Sequence, residues 1–362
     1  GDIVTLIHIV GARPNFMKAS PVVDALDLLG ADQQLIHTGQ HYDAALSQVF
    51  FDQLGLPEPD RYLGVGSGSH GVKTARLLES LEQVFAEEAP SGVVVYGDVN
   101  STIAAALAAS KLSIPIAHVE AGLRSFDRTI TEVVNRVLTD AISELQLVTS
   151  ADAMAHLAAE GLPEIGMRFV GNPMIDTLER VRPTLDPRGV LDGLGISGSF
   201  GLVTMHRPGN VDDPVRARAI VDALAGVASM LPLVFPLHPR GRDSLERVGL
   251  GDIGGLLVVE PLGYLAFTSL MASASIVLTD SGGVQEETTM LDTPCLTVRP
   301  NTERPITITH GTNRLVEPDE ILGAAGGILD GTTAFPVDRP PLWDGRAGER
   351  CARELVSWIE AT

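Results

Sequence analysis

The stretch Val93–Glu120, VVVYGDVNSTIAAALAASKLSIPIAHVE, decides the fold. Four apolar residues, Val93–Tyr96, stop at Gly97-Asp98. Thr102–Leu112 is rich in alanine and reads as a helix. Ile114–Val119 is apolar again and stops at Glu120. Nearly unbroken apolar strands on either side of a helix predict a parallel sheet covered on both faces. The same alternation extends outward. Ile3–Val10 stops at Gly11, and Leu145–Val148 stops at Thr149-Ser150. The segment Arg180–Ser199 is rich in Pro and Gly without sustained periodicity and reads as a linker. Beyond it the pattern repeats in Phe200–Met205, Leu231–Leu237, Leu256–Glu260, Ile276–Thr279 and Cys295–Val298. The expectation is an α/β protein of two doubly wound, Rossmann-like parallel-sheet domains facing a cleft. The first would span 1–175 and the second 176–344, with a helix in 345–362 packing back on the first. In such sheets ligands sit at the carboxyl ends of the strands.

The length of 362 residues suits two domains. Hydrophobic residues at 44% and charged residues at 20% exclude global disorder. A formal charge of −20 argues against nucleic acid or an anionic membrane as a partner, since both would repel the chain. An anionic small molecule would then need a local group of cations. Only three lysines occur, Lys18, Lys73 and Lys111, so arginine carries most positive charge and favours bidentate phosphate contacts. The two cysteines, Cys295 and Cys351, are far apart, which predicts neither a disulfide framework nor a cysteine-rich zinc site and suits a reducing, cytoplasmic setting. No apolar run reaches the roughly 18 residues of a membrane helix. Gly1 leads straight into an apolar strand with no signal peptide, and the missing Met suggests processing or an expression scar.

Polar clusters follow the predicted strands. Gly11-Ala12-Arg13-Pro14-Asn15-Phe16-Met17-Lys18 opens a helix and carries two cations that can reach back over the strand ends. Thr38-Gly39-Gln40-His41-Tyr42-Asp43 ends the next strand. Gly97-Asp98-Val99-Asn100-Ser101-Thr102 places Asp98 at a strand end, while Ser101 or Thr102 could simply cap the helix. His118-Val119-Glu120-Ala121-Gly122-Leu123-Arg124 puts Glu120 at the same sheet edge, and Thr131-Glu132-Val133-Val134-Asn135-Arg136 starts a helix. Glu132 could merely offset the helix dipole. Three carboxylates near one edge instead suggest acid/base chemistry, because crowding separates their protonation states.

In the second half, His206-Arg207 and His238-Pro239 end successive strands. Asp280-Ser281-Gly282-Gly283-Val284-Gln285-Glu286-Glu287 joins a buried strand to a helix whose free N–H groups suit a phosphate, and a carboxylate further along could take ribose hydroxyls. Thr302-Glu303-Arg304-Pro305 adds another cation. Gly64-Val65-Gly66-Ser67-Gly68-Ser69 lacks the strand-turn-helix setting of a dinucleotide loop and reads as a loop, and the nine histidines show no metal spacing.

Together GARPNFMK, TGQHYD, GDVNST, HVEAGLRSFDR, TEVVNR, GNPMIDTL, TMHRPGN, DSGGVQEE, NTERP and HGTNRLV resemble the non-hydrolysing UDP-N-acetylglucosamine 2-epimerases, in order and through nearly the whole chain. The resemblance implies the two-domain GT-B fold of phosphorylase-type glycosyltransferases. It implies reversible C2 epimerisation of UDP-GlcNAc to UDP-ManNAc by elimination of UDP to 2-acetamidoglucal and re-addition, in a homodimer that needs no metal or nicotinamide cofactor. By position, Asp98, Glu120 and Glu132 would be the acid/base carboxylates and His206 would sit near the sugar and diphosphate. Arg13, Lys18, Arg124, Arg136, Arg207, His238, Ser281, Gly282, Gly283, Glu287 and Arg304 would bind substrate, with Glu287 on the ribose. Gln40 and His238 match positions that, in some bacterial members, touch a second, regulatory copy of the substrate. Thr131 and Val133 flank the retained Glu132 where the family has Pro and Glu, and Gly209 replaces a usual Glu. A hydrolysing epimerase, a GT-B glycosyltransferase and a weakened UDP-sugar-binding protein are the alternatives, separable by their products.

Overall fold

The computed structural model describes residues 5–11, 13–39, 57–237, 239–336 and 338–361. They fall into two compact units, Gly1–Val181 with Pro341–Thr362, and Arg182–Pro340.

The first unit is built on a parallel sheet of strands β1 (Thr5–Val10), β2 (Asp32–His37), β3 (Arg61–Tyr62), β4 (Gly92–Tyr96), β5 (Ile116–Ala121), β6 (Leu145–Val148) and β7 (Met167–Phe169). Their spatial order is β3-β2-β1-β4-β5-β6-β7. The chain winds outward from β1 in one direction and then resumes beside it at β4, so β1/β4 is the topological switch point. Helix α1 (Arg13–Leu28) follows β1, α2 (His70–Glu88) precedes β4, and α3 (Asn100–Lys111) joins β4 to β5. The small side chains of α3 explain its close fit. Ala104, Ala105, Ala108 and Ala109 are buried with Leu77, Leu81, Val84 and Phe85 of α2 in one apolar cluster. Residues 64–69, expected as a loop, are irregular up to Ser69, whose hydroxyl accepts from Val72 N at the start of α2.

Strand β5 carries the irregularity that matters most. Its register against β6 runs Val119 to Leu147 and then Ala121 to Val148, so Glu120 is an extra residue. Glu120 has φ +69°, a left-handed conformation, and Gly122 has φ +79°. A bulge of this kind re-aims one side chain at a sheet edge. Helices α4 (Thr131–Ile142), α5 (Ala151–Ala159) and α6 (Pro173–Val181) complete the run. The carboxyl-terminal helix, Ala347–Ala361, packs on α1 and α6 within this unit. Asp176 of α6 accepts from Ala347 N at 3.1 Å and Gly348 N at 2.6 Å, and Trp343 Nε1 donates to Thr149 O at 2.9 Å.

The second unit repeats the scheme with β8 (Gly201–Thr204), β9 (Leu233–Pro236), β10 (Leu256–Val259), β11 (Ile276–Thr279), β12 (Cys295–Val298) and β13 (Asn313–Val316). All pairs are parallel, in the order β10-β9-β8-β11-β12-β13, and the switch point is β8/β11. The segment expected as an aperiodic linker differs. Within it Pro187–Leu194 forms a helix, α7, which Asp186 caps by accepting from Gly189 N. Val190, Leu191 and Leu194 place apolar side chains against Leu270 and Met271, which is why this Pro- and Gly-rich stretch holds structure. Helices α8 (Tyr264–Ser273) and α9 (Gly282–Met290) precede and follow β11. Among the described residues no helix is long and apolar enough to cross a membrane.

Candidate active site

In the first unit the sequence-predicted residues meet at the switch point. Asp98 follows β4 and Glu120 sits in the β5 bulge. Arg136, on α4, grips both: its Nη2 lies 2.5 Å from Asp98 Oδ2 and 2.8 Å from Glu120 Oε1. Its Nη1 donates to the Glu120 backbone carbonyl. Lys18 of α1 closes the group, with Nζ 2.5 Å from Glu120 Oε2. Two carboxylates that share one guanidinium nitrogen lie side by side, yet their surroundings differ. The Glu120 side chain is 1% exposed, whereas that of Asp98 is 25% exposed. Glu132 is exposed on the first turn of α4. Spacing of three and four residues puts it on the helical face of Asn135 and Arg136, and Asn135 Nδ2 donates to Asp98 O at 3.0 Å.

A buried layer supports this group. His118 lies 2.6 Å through Nδ1 from Asp140 Oδ1 and 2.7 Å through Nε2 from Gly97 O. Asp140 also accepts from Gly122 N and pairs with Arg124 at 2.7 Å. Burial would raise the Asp140 carboxyl, but His118, Arg124 and Arg136 outweigh it and hold it below its usual value. His118 thus bridges the Asp140 carboxylate and the Gly97 carbonyl. The layer thereby fixes Gly97, next to Asp98. Gly97 itself has φ +66°.

Arg124 corrects an expectation. Expected at the substrate, it is buried and spends its donors internally. Nε and Nη2 donate to the two oxygens of Glu160, Nη2 also meets Asp140, and Nη1 donates to Leu123 O. It anchors the loop after β5. Arg136 likewise is 1% exposed and directs its guanidinium at the carboxylates. Gln40 and His238 lie outside the described residues, as does the side chain of Arg13.

In the second unit the switch point β8/β11 brings together His206-Arg207 and Asp280-Ser281. Asp280 is fully buried and accepts from His206 N at 3.1 Å, Arg207 N at 2.9 Å and Asn210 Nδ2 at 3.1 Å. Helix α9 begins at Gly282, with no side-chain cap from Ser281, so N–H groups of its first turn lack a side-chain acceptor. A Cβ on Gly282 would lie 2.6 Å from Arg304 Nη1 and 3.0 Å from Glu303 Oε1, so a side chain there would push those groups back from the helix start. Arg304 pairs with Glu286 at 2.8 Å and also with Glu303. Glu303 is held 2.8 Å from Arg299 as well. Burial would raise the Glu303 carboxyl, but Arg304, Arg299 and Arg207 drive it far below its usual range. The result is a cluster of arginines interleaved with Glu286 and Glu303 beside a helix N-terminus, whose N–H groups suit a phosphate. One turn on, Tyr264 of α8 donates to Glu287 Oε1 at 2.7 Å. Burial, aided by Glu286 and opposed by the Tyr264 bond, raises the Glu287 carboxyl to about 7.

Sequence reasoning missed Asp280, Asp140, His118, Arg299, Glu303 and Tyr264 as site-building residues. Asp280 had a signal, since it opens the Asp-Ser-Gly-Gly run at a strand end. Arg299 and Glu303 pair locally, next to Arg304, whereas His118, Asp140 and Tyr264 are brought in by partners 22 or 23 residues along the chain. No group of three or more His, Cys, Asp or Glu able to hold a metal occurs among the described residues.

Two parallel-sheet units, each with its polar cluster at a switch point, define a protein of the GT-B class. The sequence profile of the UDP-N-acetylglucosamine 2-epimerase family matches residues 27–356, and the chain belongs to that family. It is 39% identical over 360 residues to a UDP-N-acetylglucosamine 2-epimerase of Methanocaldococcus jannaschii, covering 96% of this chain and 98% of the relative. It is 44% identical over 358 residues to a UDP-2,3-diacetamido-2,3-dideoxy-D-glucuronate 2-epimerase of Pseudomonas aeruginosa, covering 97% and 99%. Among solved structures, the M. jannaschii UDP-GlcNAc 2-epimerase in complex with UDP-GlcNAc and UDP superposes with a TM-score of 0.89 at 38% identity, covering 98% of this chain and all of that one.

Proposed function

We propose that the chain reversibly converts UDP-GlcNAc to UDP-ManNAc without hydrolysis. The C2 proton of an N-acetylhexosamine has no adjacent carbonyl to stabilise a carbanion, so the route is elimination. A carboxylate removes the C2 proton, the C–H electron pair forms the C1=C2 bond of 2-acetamidoglucal, and the C1–O bond breaks with its electrons leaving on UDP. Re-addition of UDP at C1, with a proton delivered to the other face of C2, completes the epimerisation.

The observation that carries this reading is the clamp of Arg136 on Asp98 and Glu120 at the β1/β4 switch point. It holds two carboxyl groups in different surroundings, one open and one enclosed, from which, with Glu132, a proton-removing and a proton-returning group on opposite faces of C2 can be drawn. Glu132 joins them from the same helical face as Arg136. Lys18 adds positive charge on this side, and Arg13 would join it. In the second unit the start of α9 (Ser281, Gly282, Gly283), Arg304 and Arg207 take the departing diphosphate, His206 sits at the sugar-diphosphate junction, and Glu287 takes the ribose. Gln40 and His238 would meet a second copy of the substrate. A cytoplasmic homodimer acting without metal or nicotinamide belongs to the same reading.

The 44% identity to the P. aeruginosa relative favours one second reading. In it the substrate is UDP-2,3-diacetamido-2,3-dideoxy-D-glucuronate. Incubating the purified protein with each sugar nucleotide in D2O and separating the products decides between them. The expected result is UDP-ManNAc carrying deuterium at C2. Product without deuterium rules out proton exchange. Free sugar plus UDP indicates hydrolysis, and turnover of the diacetamido sugar alone establishes the second reading.

A further inference from the structure

The fully buried Asp280 does more than tie down a loop. Besides accepting from the backbone N–H groups of His206 and Arg207 and from Asn210, it places Oδ1 3.0 Å from His206 Nδ1. The His206 side chain is 48% exposed, while Asp280 is completely enclosed. One nitrogen of the ring is therefore committed inward and the rest of the ring faces out. Burial would raise the Asp280 carboxyl, but His206, Arg207 and Asn210 together hold it below its ordinary value, so it is ionised and can only accept. Asn210 Nδ2 also donates to Val298 O, and its Oδ1 accepts from Arg216 Nε at 2.6 Å. Arg216 pairs in turn with Glu317. The carboxylate is thus held from behind and cannot swing away from the ring.

We propose that Asp280 is a positioning residue that keeps the proton of neutral His206 on Nδ1, leaving Nε2 as the acceptor atom that the ring presents to the bound nucleotide sugar. An unbound imidazole exchanges between two tautomers, and an acceptor-only partner at Nδ1 selects one of them. This inference rests on the placement of His206 at the sugar-diphosphate junction for its consequence in turnover. The tautomer itself does not depend on that placement.

The first measurement is the two-bond 15N–1H correlation spectrum of histidine-labelled wild-type protein, free and with UDP, with the ring neutral. His206 should show a protonated Nδ1 and a bare Nε2. A bare Nδ1, or a mixture of tautomers, overturns the proposal. The second is Asp280→Asn, whose amide can donate to Nδ1. It should shift His206 towards the other tautomer and lower kcat by about 10- to 100-fold, with the Kd for UDP changed less than about threefold. An unchanged tautomer with kcat within about twofold of wild type overturns it. The third is a cycle with His206→Asn. In that background Asp280→Asn should add no further loss, whereas full additivity of the two losses counts against the pairing. Should Asp280→Asn fail to fold, the wild-type spectrum alone decides. A wild-type protein that shows the expected tautomer but turns over neither sugar nucleotide sinks the epimerase reading and leaves the pairing standing.

Discussion

Arg136 holds three acceptors at once: the carboxylates of Asp98 and Glu120 and the backbone carbonyl of Glu120. Lysine carries the same charge but lacks the planar fork that spans two partners. Arg136→Lys is therefore expected to lower kcat by about 100-fold with little change in UDP affinity, because the loss is one of geometry. Steady-state kinetics with UDP titration checks it, and a purely weakened UDP affinity would argue against the clamp. In the second unit, burial lifts Glu287 from 4.5 to about 7. The folded protein keeps this proton between those values and the unfolded chain does not. The resulting stabilisation is complete below 4.5 and lost as pH rises through 7. Glu287→Gln should remove that decline and be the more stable protein at pH 8, by up to about 3 kcal/mol. Urea unfolding at pH 5 and pH 8 measures it, and equal pH dependence in both proteins would contradict the assignment. Much at this scale was legible, since Asp98, Glu120, His206 and Ser281 stand where apolar runs end. The role of Arg124 was not, because its partner Glu160 lies 36 residues away and only the fold brings the two together.

The central strands β4, β6, β11 and β12 are readable as apolar runs because each is covered on both faces. Edge strands are less so, apart from the apolar β10. β3 has two residues and β7 three, and β13 carries the exposed Arg314. With one neighbour and partial exposure, they tolerate polar residues. The bulge in β5 leaves no hydropathy signal at all, because register is a property of two strands. It nevertheless sets the direction of Glu120. Gly122, two residues on, has φ +79°, and a Cβ there would lie 2.5 Å from Ala153 O and 3.0 Å from Leu157. Gly122→Ala should cost about 2–3 kcal/mol from strain and overpacking together. Gly64 has φ +67° but open space around it, so Gly64→Ala should cost only about 1 kcal/mol. Comparing the two by thermal unfolding separates crowding from backbone strain, and equal losses would show that Ala153 yields.

Across the whole molecule, the formal charge of −20 coexists with enclosed cationic groups. The carboxyl-terminal helix is held to the first unit by Asp176, whose carboxyl burial lifts to about 6 despite the N–H groups of Gly348 and Ala347. Asp176→Ala leaves those two buried donors without their acceptor, at a cost of about 1–3 kcal/mol. Hydrogen exchange should then quicken across Ala347–Ala361 while the second sheet, β8–β13, keeps its protection. Loss of protection in both units alike would mean that they unfold together. The boundaries at Val181 and Pro340 make the second unit an insertion within the first. On the ribosome, domains fold as their residues emerge. The unit that starts at Arg182 has all its residues once Pro340 has been made, whereas the unit that starts the chain still lacks the helix that covers α1. Synthesis therefore supplies every residue of the Arg182–Pro340 unit before the first unit, though begun earlier, receives the helix Ala347–Ala361.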